Sequence, residues 1–459
     1  MPNPTWSALG PAERQAALKH ILLSESTGPN PLARDLSVGI DFLADFWSEH
    51  YLSEYIPSGG SKIKFVTGRT GTGKTLLLDL LTLKARELGY VTVNLSARNF
   101  MLNDFREVYL EILNHVDLQA VFEALAKRCI EELGVDVSGK PENISFTDYL
   151  VNRGEMDAII RMQIRDFLRT NFLHHPLMDN NFGLCCSIMV GDRLGHPSSD
   201  DVTKDIVMGW LHSDKTQKLA TIKAVGLAPY KITRFNARHL LRSLAVLVHL
   251  AGYPGILVTI DHLDTILNLS GLDEMKYTPK RRMDTYESIR QLIDDIDSLH
   301  NIMFVYAFDR ELMDNGKIGI PSYSALMMRI QNEIQSDRFN RFTDIANLDK
   351  LARQEYTAEK LVEMTKRMCD VLPELLSDCP EVSPEAVWRR NGLSAMIPKT
   401  LPAEWPHPIS LEEAEALISN ESFGGIGLVR RALQLALGLR SPESKTASEA
   451  DGEEEAPNV

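Results

Sequence analysis

The stretch Gly68-Arg69-Thr70-Gly71-Thr72-Gly73-Lys74-Thr75 constrains this chain more than any other. Its spacing is G-x-x-x-x-G-K-T, that of a phosphate-binding loop. Before it runs Lys62-Ile63-Lys64-Phe65-Val66-Thr67, which reads as a buried strand. After it runs Leu76-Leu77-Leu78-Asp79-Leu80-Leu81, the start of a helix. Strand, glycine-rich turn and helix, in that order, form the context the motif needs. Gly68, Gly71 and Gly73 let the backbone turn tightly, so that its N–H groups face phosphate oxygens. The helix N-terminus adds a partial positive charge at the same spot. In such a loop Lys74 reaches the β- and γ-phosphates of ATP and Thr75 ligates Mg²⁺. Arg69, Thr70 and Thr72 complete the expected nucleotide-binding segment.

The strands that follow set the fold class. Tyr90-Val91-Thr92-Val93-Asn94-Leu95-Ser96 is rich in β-branched residues and follows a helix stop at Leu88-Gly89. Strand, helix and strand make a βαβ unit and hence a parallel sheet. Gly255-Ile256-Leu257-Val258-Thr259-Ile260-Asp261-His262-Leu263-Asp264 is apolar almost throughout, as a strand buried on both faces should be. A carboxylate at the C-terminal end of such a strand lies beside the phosphate loop, because ligands bind at that edge of a doubly wound sheet. Asp261 is therefore the expected Mg²⁺ residue of a Walker B strand. An ordinary core strand ending in a helix cap would share this pattern. Ile302 to Asp309 is a fourth strand ending in a carboxylate, preceded by a helix over Asp284 to His300 with Ile289, Leu292, Ile293 and Ile296 on one face. Thr343 to Leu348 reads as a short fifth strand.

Much of the remainder is helical by pattern. Residues up to about Arg34 are amphipathic, with a start at Pro11-Ala12-Glu13-Arg14. Phe42, Leu43, Phe46 and Trp47 recur at helical spacing between Ile40 and Tyr51, either as core or as a wall for the adenine. Residues 100 to 250 are mostly helical, interrupted around Val137 to Pro141 and His196 to Asp201. His174-His175 and Cys185-Cys186 lack metal-ligand spacing, and the five cysteines form no C-x-x-C pair. From Gln354 the chain is helical again, broken by a proline-rich loop from Pro398 to Pro408. A last helix follows Gly424-Gly425-Ile426-Gly427.

The net charge is −14, of which Ser441 to Val459 contributes −5 from six acidic residues and Lys445. That tail is expected to be disordered. The balance argues against a generally basic nucleic-acid-binding surface; DNA is not indicated by it, although a local basic patch is compatible with it. No apolar run is long enough to span a bilayer and no signal peptide is visible, so a cytoplasmic location is expected.

Lys74 and Asp261 stand 187 positions apart, with a further strand and a helical region beyond. That order suits the ATPase class in which another strand lies between the P-loop and Walker B strands. Gly427-Leu428-Val429-Arg430-Arg431-Ala432-Leu433 is similar to the second sensor of AAA+ and origin-recognition-type ATPases. There the arginine, here Arg430, reaches the γ-phosphate from a lid helix. A basic helix start on the surface is the competing reading.

From Leu36 to Leu439 the chain resembles the BREX phage-exclusion ATP-binding proteins, the smaller, BrxD-like P-loop ATPases of that bacterial defence system. Beyond the P-loop, the resemblance rests on Gly209-Trp210-Leu211 and on Ala251-Gly252-Tyr253-Pro254-Gly255 running into Walker B. It rests also on Phe304-Val305-Tyr306-Ala307 and Tyr323-Ser324-Ala325-Leu326-Met327-Met328-Arg329. It implies a cytoplasmic ATPase serving an antiviral island, with modification or restriction proteins as partners. AAA+ relatives commonly complete the site with an arginine from a neighbouring copy. Arg329 is the leading candidate here, with Arg338 and Arg341 behind it, and a homo-oligomer would follow.

Two positions depart from that family's pattern. Its Walker B usually reads Asp-Glu, but His262 stands where the water-polarising Glu belongs, and Asp264 is the nearest replacement carboxylate. The first-sensor strand ends in Phe308-Asp309. The expectation is an α/β, AAA+-like P-loop core over 36–350 with a helical insertion over about 100–250. A helical segment over 1–35 precedes it, and a helical lid over 351–440 and the tail over 441–459 follow. Slow or partner-dependent ATP hydrolysis is expected. The alternatives are a non-hydrolysing nucleotide-binding scaffold and a DNA-tracking motor.

Overall fold

The apolar runs assemble into one sheet because each is too hydrophobic to leave either face in water. In the computed structural model β1 is Ser61–Gly68, β2 Val91–Ser96, β3 Ile256–Asp261, β4 Ile302–Asp309 and β5 Ile345–Asn347. All pairings are parallel, in the order β2-β3-β4-β1-β5. β4 thus lies between β1 and β3, where the additional-strand class has it. The structure describes residues 9–10, 12–14, 29–141, 144–268, 276–330, 339–378, 407–420 and 427–436. Most of the expected N-terminal helix lies outside them, as do Arg338, Cys379, the loop from Pro398 to Pro406, Gly424 to Ile426 and the acidic tail. Among the described residues, no helix is long and apolar enough to cross a membrane.

Alternation along the strands divides the core into two layers. Ile302, Phe304, Tyr306 and Phe308 of β4 face one layer, which also takes Val93, Val258 and Ile260. Met303, Val305 and Ala307 face the other, against Leu77, Leu78, Leu81 and Ala85 of the P-loop helix Lys74–Glu87. The first layer carries the helices between β2 and β3. Phe105–Asn114 and Ala237–Leu250 pack against each other there, and five further helices of eight residues or more lie between them in the sequence. The expected helix over Asp284 to His300 is displaced. It spans Pro279–Asp294, because Thr278 caps its start with Pro279 in the first turn, and Ile296–Ser298 forms a separate tight turn. Ile289 and Leu292 are buried, while Ile293 and Ile296 lie at the rim.

The segment before β1 belongs to the second layer. Asp41–Trp47 is α-helical and widens into π-type turns over Ser48–Tyr55. Leu43, Phe46 and Trp47 are buried in the core, and Phe42 meets Phe339 edge-on at 6.2 Å. Beneath this helix sits a residue that the strand pattern does not flag, Lys64, whose side chain is fully buried. Its ammonium donates to the carbonyls of Phe342 (3.1 Å) and Thr343 (2.7 Å) and to Asp344 (3.1 Å). It also lies 4.9 Å from the centre of the Tyr51 ring. A buried cation persists only where it is paired and hydrogen-bonded, and these partners tie the approach to β5 onto β1.

Lys64→Ala should lower the unfolding free energy in urea by about 1–3 kcal/mol, since it leaves two partly buried carbonyls without their charged donor. Lys62→Ala removes a more exposed partner of the same Asp344 and should cost less than about 1 kcal/mol. Equal effects would refute the clamp.

Candidate functional site

The P-loop leaves β1 and is shaped by Gly71 at φ +84° and Gly73 at φ +95°, a left-handed region open to glycine. Gly73 is the N-cap of the helix Lys74–Glu87, and no side chain caps that end. The first N–H groups of the helix therefore face outward for a ligand. The other side of the loop is fastened. Lys74 Nζ donates to the carbonyls of Gly68 (2.7 Å) and Arg69 (3.0 Å), and Arg310 N–H donates to Gly68 O at 3.1 Å. Arg69 N–H donates to Asp349 at 3.2 Å, and the same carboxylate lies 3.5 Å from the Arg69 guanidinium. Asp349 is buried in the first turn of Leu348–Glu355, directly after β5. The sequence reading missed it; the only cue was an acid in the first turn behind the Asn347 cap.

Parallel register brings the strand ends into one row. Gly68 pairs with Asp309, and Ser96 with Asp261. Thr75 Oγ1 donates to Asp261 Oδ2 at 2.6 Å, across 186 positions of sequence. A hydroxyl and a carboxylate at this spacing are hard oxygen donors of the type Mg²⁺ takes. The chemistry of the pair thus fits the metal.

His262 does not continue the strand. It takes φ +60°, its N–H donates to its neighbour Asp261 at 2.7 Å, and its Nδ1 lies 3.3 Å from Ser96 Oγ. The imidazole is thereby drawn toward β2. Asp264 accepts the backbone N–H of Asp309 at 2.9 Å and so braces the end of β4. Asp309 itself, which the sequence reading noted only as a departure, faces the loop. Its Oδ2 accepts from Thr70 Oγ1 at 2.9 Å and lies 3.7 Å from Lys74 Nζ. It makes the closest carboxylate contact of the three with the P-loop lysine.

The C-terminal helix Leu428–Ala436 meets the loop backbone to backbone. Gly427 N–H donates to Thr70 O at 2.8 Å, and Arg430 N–H to Gly71 O at 3.0 Å. A Cβ on Gly71 would stand 2.2 Å from Arg430 Cβ, so the arginine stem lies directly along the loop. Burial lowers the Arg430 pKa from its ordinary value, but an arginine starts far enough above neutrality to stay charged. Arg329, by contrast, is engaged by Asp294 at 2.7 Å with its side chain 45% exposed. Arg341 lies over the Phe46 ring at 4.7 Å.

Two cavities flank the sheet. One of about 290 Å³ is lined by Val38, Gly39, Asp41, Phe42, Lys360 and Arg367, among others. It adjoins Ile40, whose Cδ1 is 3.5 Å from where a Gly73 Cβ would stand. The other, of about 310 Å³, is lined by residues such as Leu52, Pro57, Leu88 and Tyr253, which precede the strands. It therefore opens at the opposite edge from the P-loop. Cys129, Cys185, Cys186 and Cys369 are buried free thiols, and His175 Nδ1 accepts from Leu177 N–H.

Comparison with known proteins places the chain in a family. The family model for the BREX system ATP-binding protein BrxC/D matches residues 34–390. No curated protein and no solved structure matches.

Gly427→Ala would set a methyl 2.8 Å from Gly71 C and Thr72 N, so backbone has to move. The expected cost is about 1–3 kcal/mol, localised to the contact with Leu428–Ala436. Hydrogen exchange in that helix should accelerate while β1 and β4 stay protected. Unchanged exchange would mean that the glycine contact does not hold the helix.

Proposed function

The chain belongs to the BREX system ATP-binding protein BrxC/D family, and from that membership we propose a Mg²⁺-dependent ATP switch within a phage-defence assembly. Hydrolysis is slow or depends on a partner, and the protein acts in the cytoplasm. The observation that carries this reading is the 2.6 Å bond from Thr75 to Asp261. It joins the two residues that would share Mg²⁺, directly or through water. The metal would neutralise charge between the β- and γ-phosphates. The open N–H groups of the loop would take the phosphates. The helix Asp41–Trp47, which approaches the loop through Ile40, would wall the base. We read 36–350 as an AAA+-like ATPase core, about 100–250 as its insertion and 351–440 as a lid. Arg430 on that lid would contact the γ-phosphate. Differential contact of this kind is what lets a nucleotide bias one conformation.

The position of Asp309 explains why turnover should be low. Its carboxylate lies 3.7 Å from Lys74 Nζ, so an arriving γ-phosphate would compete for the same ammonium. His262 is turned toward Ser96 and Asp264 is occupied with the Asp309 backbone. Asp309 is then the carboxylate best placed to orient the attacking water once Lys74 leaves it. Arg329 would complete a neighbouring site only by giving up Asp294.

Lys74→Ala should weaken Mg²⁺-ATP binding at least about tenfold by calorimetry, through loss of charged hydrogen bonds. Full retention would overturn the ATP site. Asp309→Asn should move binding and turnover in opposite directions. Affinity rises as the competitor for Lys74 loses its charge, while single-turnover hydrolysis falls by about 10²–10⁴ if the carboxylate serves the water. Unaltered hydrolysis in Asp309→Asn, with a loss in Asp264→Asn, would return that role to Asp264.

A further inference from the structure

We propose that an exposed basic strap in the helical insertion, from Lys215 to Arg234, binds the phosphate backbone of a nucleic acid. The whole chain carries −14, yet between His212 and His239 there are six Lys or Arg residues against one acid, Asp214, a local balance of +5. The strap leaves the helix Asp201–Leu211, forms the short helix Leu219–Ala224 and returns into Ala237–Leu250.

Its inner side is anchored. Ile222, Leu227 and Ile232 are almost fully buried. Asn181 exchanges two hydrogen bonds with the Ala228 backbone, at 2.9 and 2.8 Å. Trp210 Nε1 donates to Tyr230 O at 3.0 Å, and the Tyr230 hydroxyl donates to Asp179 at 2.7 Å. With these residues facing in, Lys215, Lys218, Lys223, Lys231 and Arg234 are left exposed. Arg238 pairs with Asp295 at 3.1 Å, whereas these five have no ion pair among the described residues. Asp214 is turned to the backbone N–H and hydroxyl of Thr216, both at 2.8 Å.

The chemistry favours a polyanion with regularly spaced charges. At physiological salt the Debye length is about 8 Å, so acids elsewhere on the protein do not cancel a patch presented on a fixed scaffold. A protein partner of ordinary kind requires an apolar centre. The strap offers little apolar surface beyond Leu219 and Phe235, whereas nucleic-acid interfaces are polar and positively charged. Phe235 is 72% exposed with the Arg234 guanidinium 4.8 Å from its ring centre, a flat face suited to stacking on a base. Lysine ammoniums act as point charges toward phosphate, and phosphate contacts carry no sequence information. The binding is therefore sequence-independent and salt-sensitive.

The test is fluorescence anisotropy of the full chain with labelled DNA of about 30 nucleotides, single-stranded and duplex, over a salt series. Neutralising two to five phosphates predicts a slope of log K against log salt of about −2 to −4. Replacing Lys218, Lys223, Lys231 and Arg234 together with Glu should abolish binding, and Lys223→Ala alone should reduce the slope by about 1. A Gln version of the fourfold variant gives the same readout should charge reversal disturb the strap. Mg²⁺-ATP affinity should be unchanged in all of them, because none touches the P-loop. The proposal fails if the wild type does not bind at low salt, if binding is indifferent to salt, or if the fourfold variants bind as tightly. Equal displacement of the DNA by poly-glutamate would overturn the nucleic-acid assignment.

Discussion

The parallel register of β1, β4 and β3 is the constraint on which the rest of the structure depends, and the hydrogen bond between Thr75 and Asp261 is its direct product. It exists only because β1, β3 and β4 run parallel and in register, so that their C-terminal ends form one edge. Parallel neighbours cannot be joined by a tight turn. The chain must cross back over the sheet between them, and here the crossing from β2 to β3 has been enlarged into a set of helices. Phe105–Asn114 and Ala237–Leu250 run against the sheet layer and against each other. The helices between them can therefore carry other surfaces without moving the site.

A second constraint comes from glycine. A methyl on Gly427 would overlap the backbone of Gly71 and Thr72, and one on Gly71 would overlap the stem of Arg430. The phosphate loop and the helix Leu428–Ala436 thus share carbonyls and amides, not just side chains. Any ligand that shifts the loop is felt directly by that helix. The same loop also holds Lys74 against its own carbonyls and near Asp309. Lys74 is thus held by its own loop and has a carboxylate beside it.

Buried polar groups show the same economy. Lys64 would be a defect in a strand otherwise buried on both faces, yet two carbonyls, Asp344 and the Tyr51 ring satisfy it. Asp349 fastens Arg69 from behind β5. Each ties a distant segment to β1 through a buried charge held by more than one polar contact.

The sequence by itself determined the strand, glycine turn and helix around Gly73, the parallel α/β core and the strand carrying Asp261, because these follow from local spacing and hydrophobic period. The four longer strands lie within a residue or two of their expected places, apart from His262 to Asp264, which the apolar run had drawn into β3. The family was legible too, from short motifs in a set order. Helix boundaries were less so. Starts such as Asp104, Asp117, Asp157, Asp179 and Asp200 are set by side-chain caps that a period-based reading does not weigh. Only the tertiary structure decided which carboxylate faces Lys74. Asp261, Asp264 and Asp309 all stand at or just past the ends of strands in one dimension. The left-handed turn at His262 and the bond from Asp309 N–H to Asp264 separate them in three. The basic strap was hidden for a related reason. Net charge sums over the whole chain, whereas a ligand meets only the side chains that burial leaves on one surface.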